Sequence, residues 1–439
     1  MTSVLGLPLP HGWSSSPLKH VTTALNRGSA PIYVEDGPVH AVSQAANQPG
    51  GLDWSRTRFH AYSGDPRKLK GYLQPGDVII NSTGTGTLGR VGQFLSSPDG
   101  SPCMADGHVT IARADLRDLH PRFAYYWLAS QPFQEYVYAA LVVGATNQIE
   151  LNRERLGEAP VPLPPLDEQR RIADFLDVET SHIDRIVAAR EAQKSILKER
   201  ELSLISETLS GGESLQGSRS TGMPWLPAIP ADWKIGPVYA YFSTELGKML
   251  NAERATGDRQ RPYLRNANIH WYEIDVSDMA TMSFDASETR RYSVAPGDLL
   301  VCEGGAGVAE AAVWNGEISG CYYQKSLHRV RRVGPVPVEW LMYWLRLAKH
   351  VGVFQADGNI ATIPHLTGEQ LREYRIPIPP DGDLRVAALN REVSDLLSLV
   401  GRLDQAQALL AARRQVLITA AVTGQLDVTT ARPAHDRDL

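Results

Sequence analysis

Gly84-Thr85-Gly86-Thr87-Leu88-Gly89 has the Gly-x-Gly-x-x-Gly spacing with which a strand, a turn and a helix together hold the phosphates of a dinucleotide or S-adenosylmethionine. That chemistry needs a helix starting inside the glycines, so that its first amides face the ligand. The residues that follow, Arg90-Val91-Gly92-Gln93-Phe94, read instead as another strand containing a glycine, and a tight turn between strands is the better reading. No Asn-Pro-Pro-aromatic or Asp-Pro-Pro-Tyr segment is present to position an adenine amino group for methyl transfer, and no Gly-x-x-x-x-Gly-Lys-Ser/Thr segment is present for ATP. Pro98-Asp99 and Pro380-Asp381 lack the nearby acid-x-Lys arrangement that holds Mg²⁺ and water in nucleases, and they read as turns. The 12 histidines are not paired at metal-ligand spacing, so His328 reads as a strand residue. Cys103, Cys302 and Cys321 form an odd set without Cys-x-x-Cys spacing, which points to reduced, structural thiols.

The chemistry-bearing types therefore do not converge on a catalytic constellation, and the elements that carry them become the informative level. At 439 residues, with 43% hydrophobic and 21% charged residues, the chain suits two to four domains. No leader-like start and no apolar run of membrane-spanning length is present, which sets a cytoplasmic, membrane-free expectation. The net charge is −5, with 44 Lys and Arg against 49 Asp and Glu, and no segment is strongly basic. A nucleic-acid reader with this balance needs partner chains to complete its grip on phosphates.

The chain is written twice, at an offset of about 220 residues. Pro10-His11-Gly12-Trp13 and Pro17 return as Pro230-Ala231-Asp232-Trp233 and Pro237. Pro75-Gly76-Asp77-Val78-Ile79-Ile80 returns as Pro296-Gly297-Asp298-Leu299-Leu300-Val301, in both copies a turn feeding a buried strand and then a glycine turn. A helix beginning at Pro121 is matched by one beginning at Pro337, both as N1 prolines. Each copy then runs into a proline stretch, Pro160-Val161-Pro162-Leu163-Pro164-Pro165 or Pro377-Ile378-Pro379-Pro380, that cannot continue a helix.

After each proline stretch comes a long helical segment. From Asp167, read as an N-cap, nothing breaks the pattern until Gly211, a helix of about 43 residues or roughly 65 Å. Ile172, Leu176, Ile183, Ile186, Leu197 and Leu204 recur at three-and-four spacing, as do Leu389, Val393, Leu396, Val400, Leu403, Leu410 and Leu417 in the second copy. Helices so long need a partner face. The simplest solution pairs them as an antiparallel coiled coil, and the alternative folds each back on its own domain.

The segments Asn81-Ser82-Thr83-Gly84-Thr85-Gly86-Thr87-Leu88-Gly89, Val301-Cys302-Glu303-Gly304-Gly305, Cys321-Tyr322-Tyr323-Gln324-Lys325-Ser326-Leu327-His328-Arg329-Val330, Pro164-Pro165-Leu166-Asp167-Glu168-Gln169-Arg170-Arg171-Ile172-Ala173 and Pro224-Trp225-Leu226-Pro227-Ala228-Ile229-Pro230 resemble those of type I restriction–modification specificity subunits. The likeness covers nearly the whole chain, and the proline stretch leading into Glu-Gln-x-x-Ile-Ala is its most specific part. The second copy departs from it: Asp381-Gly382-Asp383-Leu384-Arg385-Val386 lacks the Glu-Gln pair, which leaves the start of the second helix open by about a turn.

The resemblance implies α/β (α+β) target-recognition domains in two pseudo-repeated copies, at residues 1–165 and 212–380, spaced by long helices at 166–211 and 381–426, with a flexible tail at 427–439. It implies a non-catalytic subunit that reads a bipartite, asymmetric target in double-stranded DNA and docks methylation subunits, two copies expected, with restriction or translocase subunits in some assemblies. S-adenosylmethionine, and ATP with Mg²⁺, would belong to those partners, leaving this chain without cofactor or metal. Arg and Lys read guanine, Asn and Gln read adenine, and basic or hydroxyl groups hold phosphate. The DNA-binding candidates are therefore Asn81, Thr83, Thr85 and Arg90 around the glycine turn, Arg56, Arg58, Arg67 and Lys68 before it, and Arg259, Arg261, Arg265, Arg290, Arg291, Gln324 and Lys325 in the second copy. Two other readings stay open: a nucleotide- or S-adenosylmethionine-dependent transferase using the Gly84 turn, and a coiled-coil scaffold that binds protein partners.

Overall fold

The computed structural model describes residues 3–84, 86–144, 149–212, 217–356 and 365–428; Thr85 and the tail beyond 428 lie outside them. The chain divides into two compact units, one made of residues 1–190 with 404–439, the other of residues 191–403. Each unit holds one α/β copy of the repeat together with part of both long helices.

The apolar run after each Pro-Gly-Asp turn becomes the centre of a four-stranded antiparallel sheet. In the first unit the order is Val91–Gln93, Val78–Asn81, Val109–Ala114, Thr22–Arg27. In the second it is Ala311–Val313, Leu299–Cys302, Leu327–Arg332, Phe242–Leu246. Side chains on a strand alternate between faces, and here both faces are covered. Val78 and Ile80 join a core with Phe123 and Trp127 of the helix Pro121–Ala129, while Ile79 joins a separate core with Val42 and Cys103. Leu299 and Val301 repeat the first arrangement, and Leu300 and Cys302 the second. A smaller sheet supplies the other side of that second core. In each unit it contains a parallel pair: Val39–Val42 with Cys103–Ala105, and Gln260–Leu264 with Tyr322–Tyr323. All three cysteines are buried and unbridged, and burial pushes each thiol up to about 12.

The aspartate of the repeated turn is the anchor of this frame. Asp77 is buried, accepts the Gln74 amide at 2.7 Å, and takes both Nε and Nη2 of Arg113 at 2.7 Å. Asp298 accepts the Ala295 amide at 2.8 Å and the Arg331 Nε and Nη2 at 2.5 and 2.7 Å. A two-pronged guanidinium fixes geometry as well as charge, so each pair sets the turn against the neighbouring strand.

Each proline stretch pairs back with the opening of its own copy: Pro160–Leu163 with Ser14–Pro17, and Arg375–Ile378 with Lys234–Pro237. The module is thus closed where its chain begins and ends. Pro121 is the first residue of its helix, but Pro337 stands one position before Val338–His350 as its cap.

The long helices span Leu166–Ser210 and Gly382–Val422, 45 and 41 residues. The first starts ahead of the expected cap: the Gln169 amide donates to the Pro165 carbonyl at 3.0 Å, which puts Asp167 within the first turn. Gln169 is fully buried. Its Nε2 donates to the Asp118 and Pro164 carbonyls, each at 2.9 Å, and its Oε1 accepts the His120 amide at 2.8 Å, so the Glu-Gln motif ties the helix to its module. The second copy makes this tie differently, with Arg332 gripping Asp383 at 2.7 and 2.8 Å.

Within the first unit, Ile172 and Leu176 share a core with Ile418, Ala421 and Val422 of the second helix. Further along, Asp184 lies 3.5 Å from Arg414, and Gln407 donates to the Val187 carbonyl at 3.4 Å. Rising numbers on one helix meet falling numbers on the other, which is an antiparallel pairing. Within the second unit, Leu204, Ile205 and Leu209 share a core with Val386, Leu389 and Val393, and one cavity is lined by Leu197, Leu396 and Val400. The helix ends also pack on the modules, so mutual pairing and folding back onto a domain coexist. Ile172, Leu176, Ile183, Leu204, Leu389 and Val393 are buried, whereas Ile186, Leu197, Leu396, Val400, Leu403, Leu410 and Leu417 are half-buried.

Both helices stop at a glycine with positive φ, Gly211 at 87° and Gly424 at 71°. A Cβ there would come within 2.4 Å of Pro230 or 2.2 Å of Pro10, so glycine is required by conformation and by space. Truncating Asp77→Ala leaves Arg113 uncompensated in a largely buried site and is expected to cost about 3–5 kcal/mol. Urea unfolding of the two proteins measures it, and a loss below about 1 kcal/mol would contradict the anchoring role.

Candidate nucleic-acid interface

The turn that follows Val78–Asn81 leads directly into the strand Val91–Gln93. Its glycines adopt positive φ, 102° at Gly84, 77° at Gly86 and 80° at Gly89, and no helix begins within residues 86–93. The counterpart, with Gly305 at 77°, runs into Ala311–Val313 in the same way. The aligned N-terminal amides that a nucleotide fingerprint depends on are therefore lacking at this turn.

Asn81 is fully buried and points inward. Its Nδ2 donates to the Gln44 carbonyl at 3.2 Å and its Oδ1 accepts Asn47 Nδ2 at 3.0 Å. Arg90 folds over the same loop, donating to the Asn47 carbonyl at 3.0 Å and to Gln48 Oε1 at 3.2 Å. Thr83 bonds Gln44 Oε1 at 3.2 Å and His108 Nδ1 at 2.8 Å. The structure brings these three together as the fastening of the glycine turn. Thr85, the fourth residue singled out there, lies outside the described residues.

The preceding polar segment behaves differently. Arg56 pairs with Asp53 at 2.8 Å. Arg58 is exposed, and its guanidinium carbon sits 3.4 Å from the centre of the Tyr33 ring. Burial, reinforced by the Asp106 carboxylate, raises the Tyr33 phenol above its usual value, so the ring remains neutral under the cation. An exposed guanidinium held over an aromatic ring is a side chain of the type that bonds guanine O6 and N7 together. Arg67 and Lys68 are exposed on a short turn capped by Asp65 and form no ion pair among the described residues.

In the second unit, Arg265 and Arg291 are committed, to Asp278 and Glu245, each at 2.6 Å. Arg259, Arg261, Arg290 and Lys325 are exposed and free of ion pairs among the described residues; Gln324 is half-buried beside Lys325 at the end of the strand Tyr322–Tyr323. These flank the smaller sheet, where Arg261 and Arg259 lie at the start of Gln260–Leu264. Among these candidates, the basic side chains without an ion pair thus gather on or beside the smaller sheet rather than on the glycine turn. Sequence reading passed over Tyr33, whose role depends on its pairing with Arg58 across neighbouring strands, and nothing local in the chain signals it.

Among the described residues, no group of three or more His, Cys, Asp and Glu side chains could hold a metal ion. No described helix is long and apolar enough to cross a membrane.

Together these features define a twin-module α/β protein that displays polar side chains on a buried, duplicated frame. Residues 10–193 match the family of the type I restriction modification DNA specificity domain. Over 306 residues the chain is 22% identical to the specificity subunit of the type I restriction enzyme EcoKI of Escherichia coli K12, covering 66% of this chain and 61% of that protein. Over 331 residues it is 22% identical to the StySPI specificity subunit of Salmonella potsdam, covering 71% and 66%. The matched region therefore spans less than two thirds of either relative's length. A solved chain from work on complex assembly and conformational transition of the type I R-M system superposes with a TM-score of 0.67 at 17% identity, over 95% of this chain and 100% of that one, which shows a shared fold. The chain is thus similar to type I restriction enzyme specificity subunits, with the DNA specificity domain family matched over residues 10–193.

Replacing Asn81→Ala removes one of the two acceptors of Asn47 Nδ2, which keeps the Arg90 carbonyl at 3.1 Å, and the donor to the Gln44 carbonyl, and is expected to cost about 1–3 kcal/mol of stability. Chemical denaturation reads this directly; an unchanged midpoint would show that the amide pair does not fasten the loop.

Proposed function

We propose that this chain is the DNA sequence-specificity subunit of a type I restriction–modification complex. It is non-catalytic, and its two modules read the two halves of a bipartite, asymmetric target. The observation that carries this reading is the contrast inside the repeat: buried anchors recur, as in Asp77–Arg113 and Asp298–Arg331, while the exposed polar side chains differ between copies. A shared frame with divergent display suits two readers of different sequences. The domains are then 1–165 and 212–380, with 166–211 and 381–426 as the spacer that fixes the separation of the half-sites and docks two methylation subunits, joined in a restricting assembly by restriction or translocase subunits. S-adenosylmethionine, and ATP with Mg²⁺, belong to those partners, and the complex works in the cytoplasm.

The readers on this account are Arg58 in the first module and Arg259, Arg261, Arg290, Gln324 and Lys325 in the second, with Arg67 and Lys68 on phosphate. The net charge of −5 supports a shared grip on DNA, with partner subunits supplying the missing positive charge.

Binding of the assembled complex to target and mismatched duplexes separates these roles. Arg58→Lys keeps the charge but loses the planar fork; it is expected to weaken target binding by about 1–3 kcal/mol and relax one base pair. Arg67→Ala with Lys68→Ala is expected to weaken all duplexes alike and to reduce the slope of log affinity against log salt by about 2. If neither set alters DNA binding, the assigned surface is wrong.

A further inference from the structure

The duplication lets one module serve as a reference for the other. The Leu151 amide donates to the Ser82 carbonyl at 2.8 Å, and the Leu366 amide to the Glu303 carbonyl at 2.6 Å. Just beyond, Asn152 and Thr367 cap the short helices Arg153–Glu158 and Gly368–Glu373, so Glu158 answers to Glu373. The turns Leu18–His20 and Val238–Ala240 occupy matching places and set Lys19 against Tyr239. Across the sheet Thr110 faces Ile80, and His328 faces Val301, its counterpart.

In the first module this corner is neutralised from within, because the Lys19 ammonium pairs with the Glu158 carboxylate. The Thr110 hydroxyl is likewise satisfied, by Ser82 Oγ at 2.5 Å. The second module lacks both. Tyr239 brings no charge, Glu373 and Glu369 form no ion pair among the described residues, and an open cavity of about 560 Å³ lies between Tyr239, Glu245, His328, Glu369, Arg372 and Glu373. His328, only 1% exposed, lines it. Its Nε2 is 2.8 Å from the Leu366 carbonyl, which can only accept, so Nε2 carries the hydrogen. Burial keeps the imidazole pKa below its usual value and the ring neutral, which leaves Nδ1 a bare acceptor, and that atom has no partner.

A buried lone pair beside free carboxylates repels anions, phosphate included, and calls for a cationic hydrogen-bond donor. Glu245 is already held by Arg291 at 2.6 Å, and Arg372, on the rim where the first module has Gly157, pairs with neither free glutamate among the described residues. We propose that this cavity binds an alkylammonium or guanidinium group, supplying from outside the cation that Lys19 supplies inside the first module. This goes beyond DNA reading and does not depend on it. The head group could arrive on a free polyamine or on a basic side chain of a partner chain, and the two sources share the same recognition chemistry.

Titration calorimetry on the full chain, at high salt to suppress diffuse attraction, tests it with spermidine and with the N-acetyl methylamides of lysine and arginine as side-chain probes. One-to-one binding is expected, weakened about tenfold by Glu373→Gln through loss of one charge-assisted contact. Tyr239→Lys, which installs the internal cation of the first module on an exposed position, is expected to abolish binding without lowering the melting temperature. Preference for spermidine would identify a free amine, and preference for the amino-acid probes a partner's side chain. The proposal is overturned if no probe saturates at millimolar concentration, if the two variants bind as the parent does, or if binding emerges only in Arg372→Ala, since the chain would then fill its own cavity.

Discussion

Neither long helix can bury its apolar face alone, and this constraint organises the rest of the protein. Isolated helices of ordinary sequence are marginal in water. Here each compact unit contains residues from both helices as well as a module. The core of the first unit mixes Trp127 and Phe123 with Ile172, Leu176, Ile418 and Val422, so the beginning of one helix and the end of the other are as much part of the domain as its own sheet. The second unit does the same with Trp340, Leu204, Ile205, Val386 and Leu389. Each helix leaves one unit and enters the other, and unfolding either module would strip partners from both.

On that frame the repeated landmarks turn out to be fastenings. Asp77, Gln169 and Asn81 are buried and fully engaged, as is Asp298 in the second copy. Buried polar groups are costly unless paired, so they specify one arrangement of turn, strand and helix and leave the exposed residues around them free to differ. That division separates what must be shared by two modules from what would distinguish their targets.

Much of this architecture was legible in the chain. Proline and glycine report local backbone geometry, so the repeat, the extended proline segments and the helix ends at Gly211 and Gly424 could be read from residue type and spacing. The helical periodicity likewise picked out residues that are buried on these helices, Ile172, Leu176, Ile183, Leu204, Leu389 and Val393. What escaped depends on partners distant in sequence. Asp77 meets Arg113 and Arg58 meets Tyr33 across strands, and no local pattern tells a paired arginine from a free one. For the same reason Asn81, Thr83 and Arg90, polar types beside a glycine turn, resembled a reading surface, although Asn81 is buried and all three are bonded to the loop around them. Half-burial at Leu197 and Leu410 also cannot be foreseen from periodicity, which gives a face but not the thickness of what covers it.

The proposed function requires two unlike modules to read one divided site. Mapping methylated adenines across the genome of cells that express this chain with its cognate methylation subunit tests it most directly. Two different half-sequences at a single fixed separation are expected, with only one half changing when residues 212–380 are exchanged for those of another specificity subunit. A palindromic or uninterrupted motif, or a change in both halves on exchange, would contradict it.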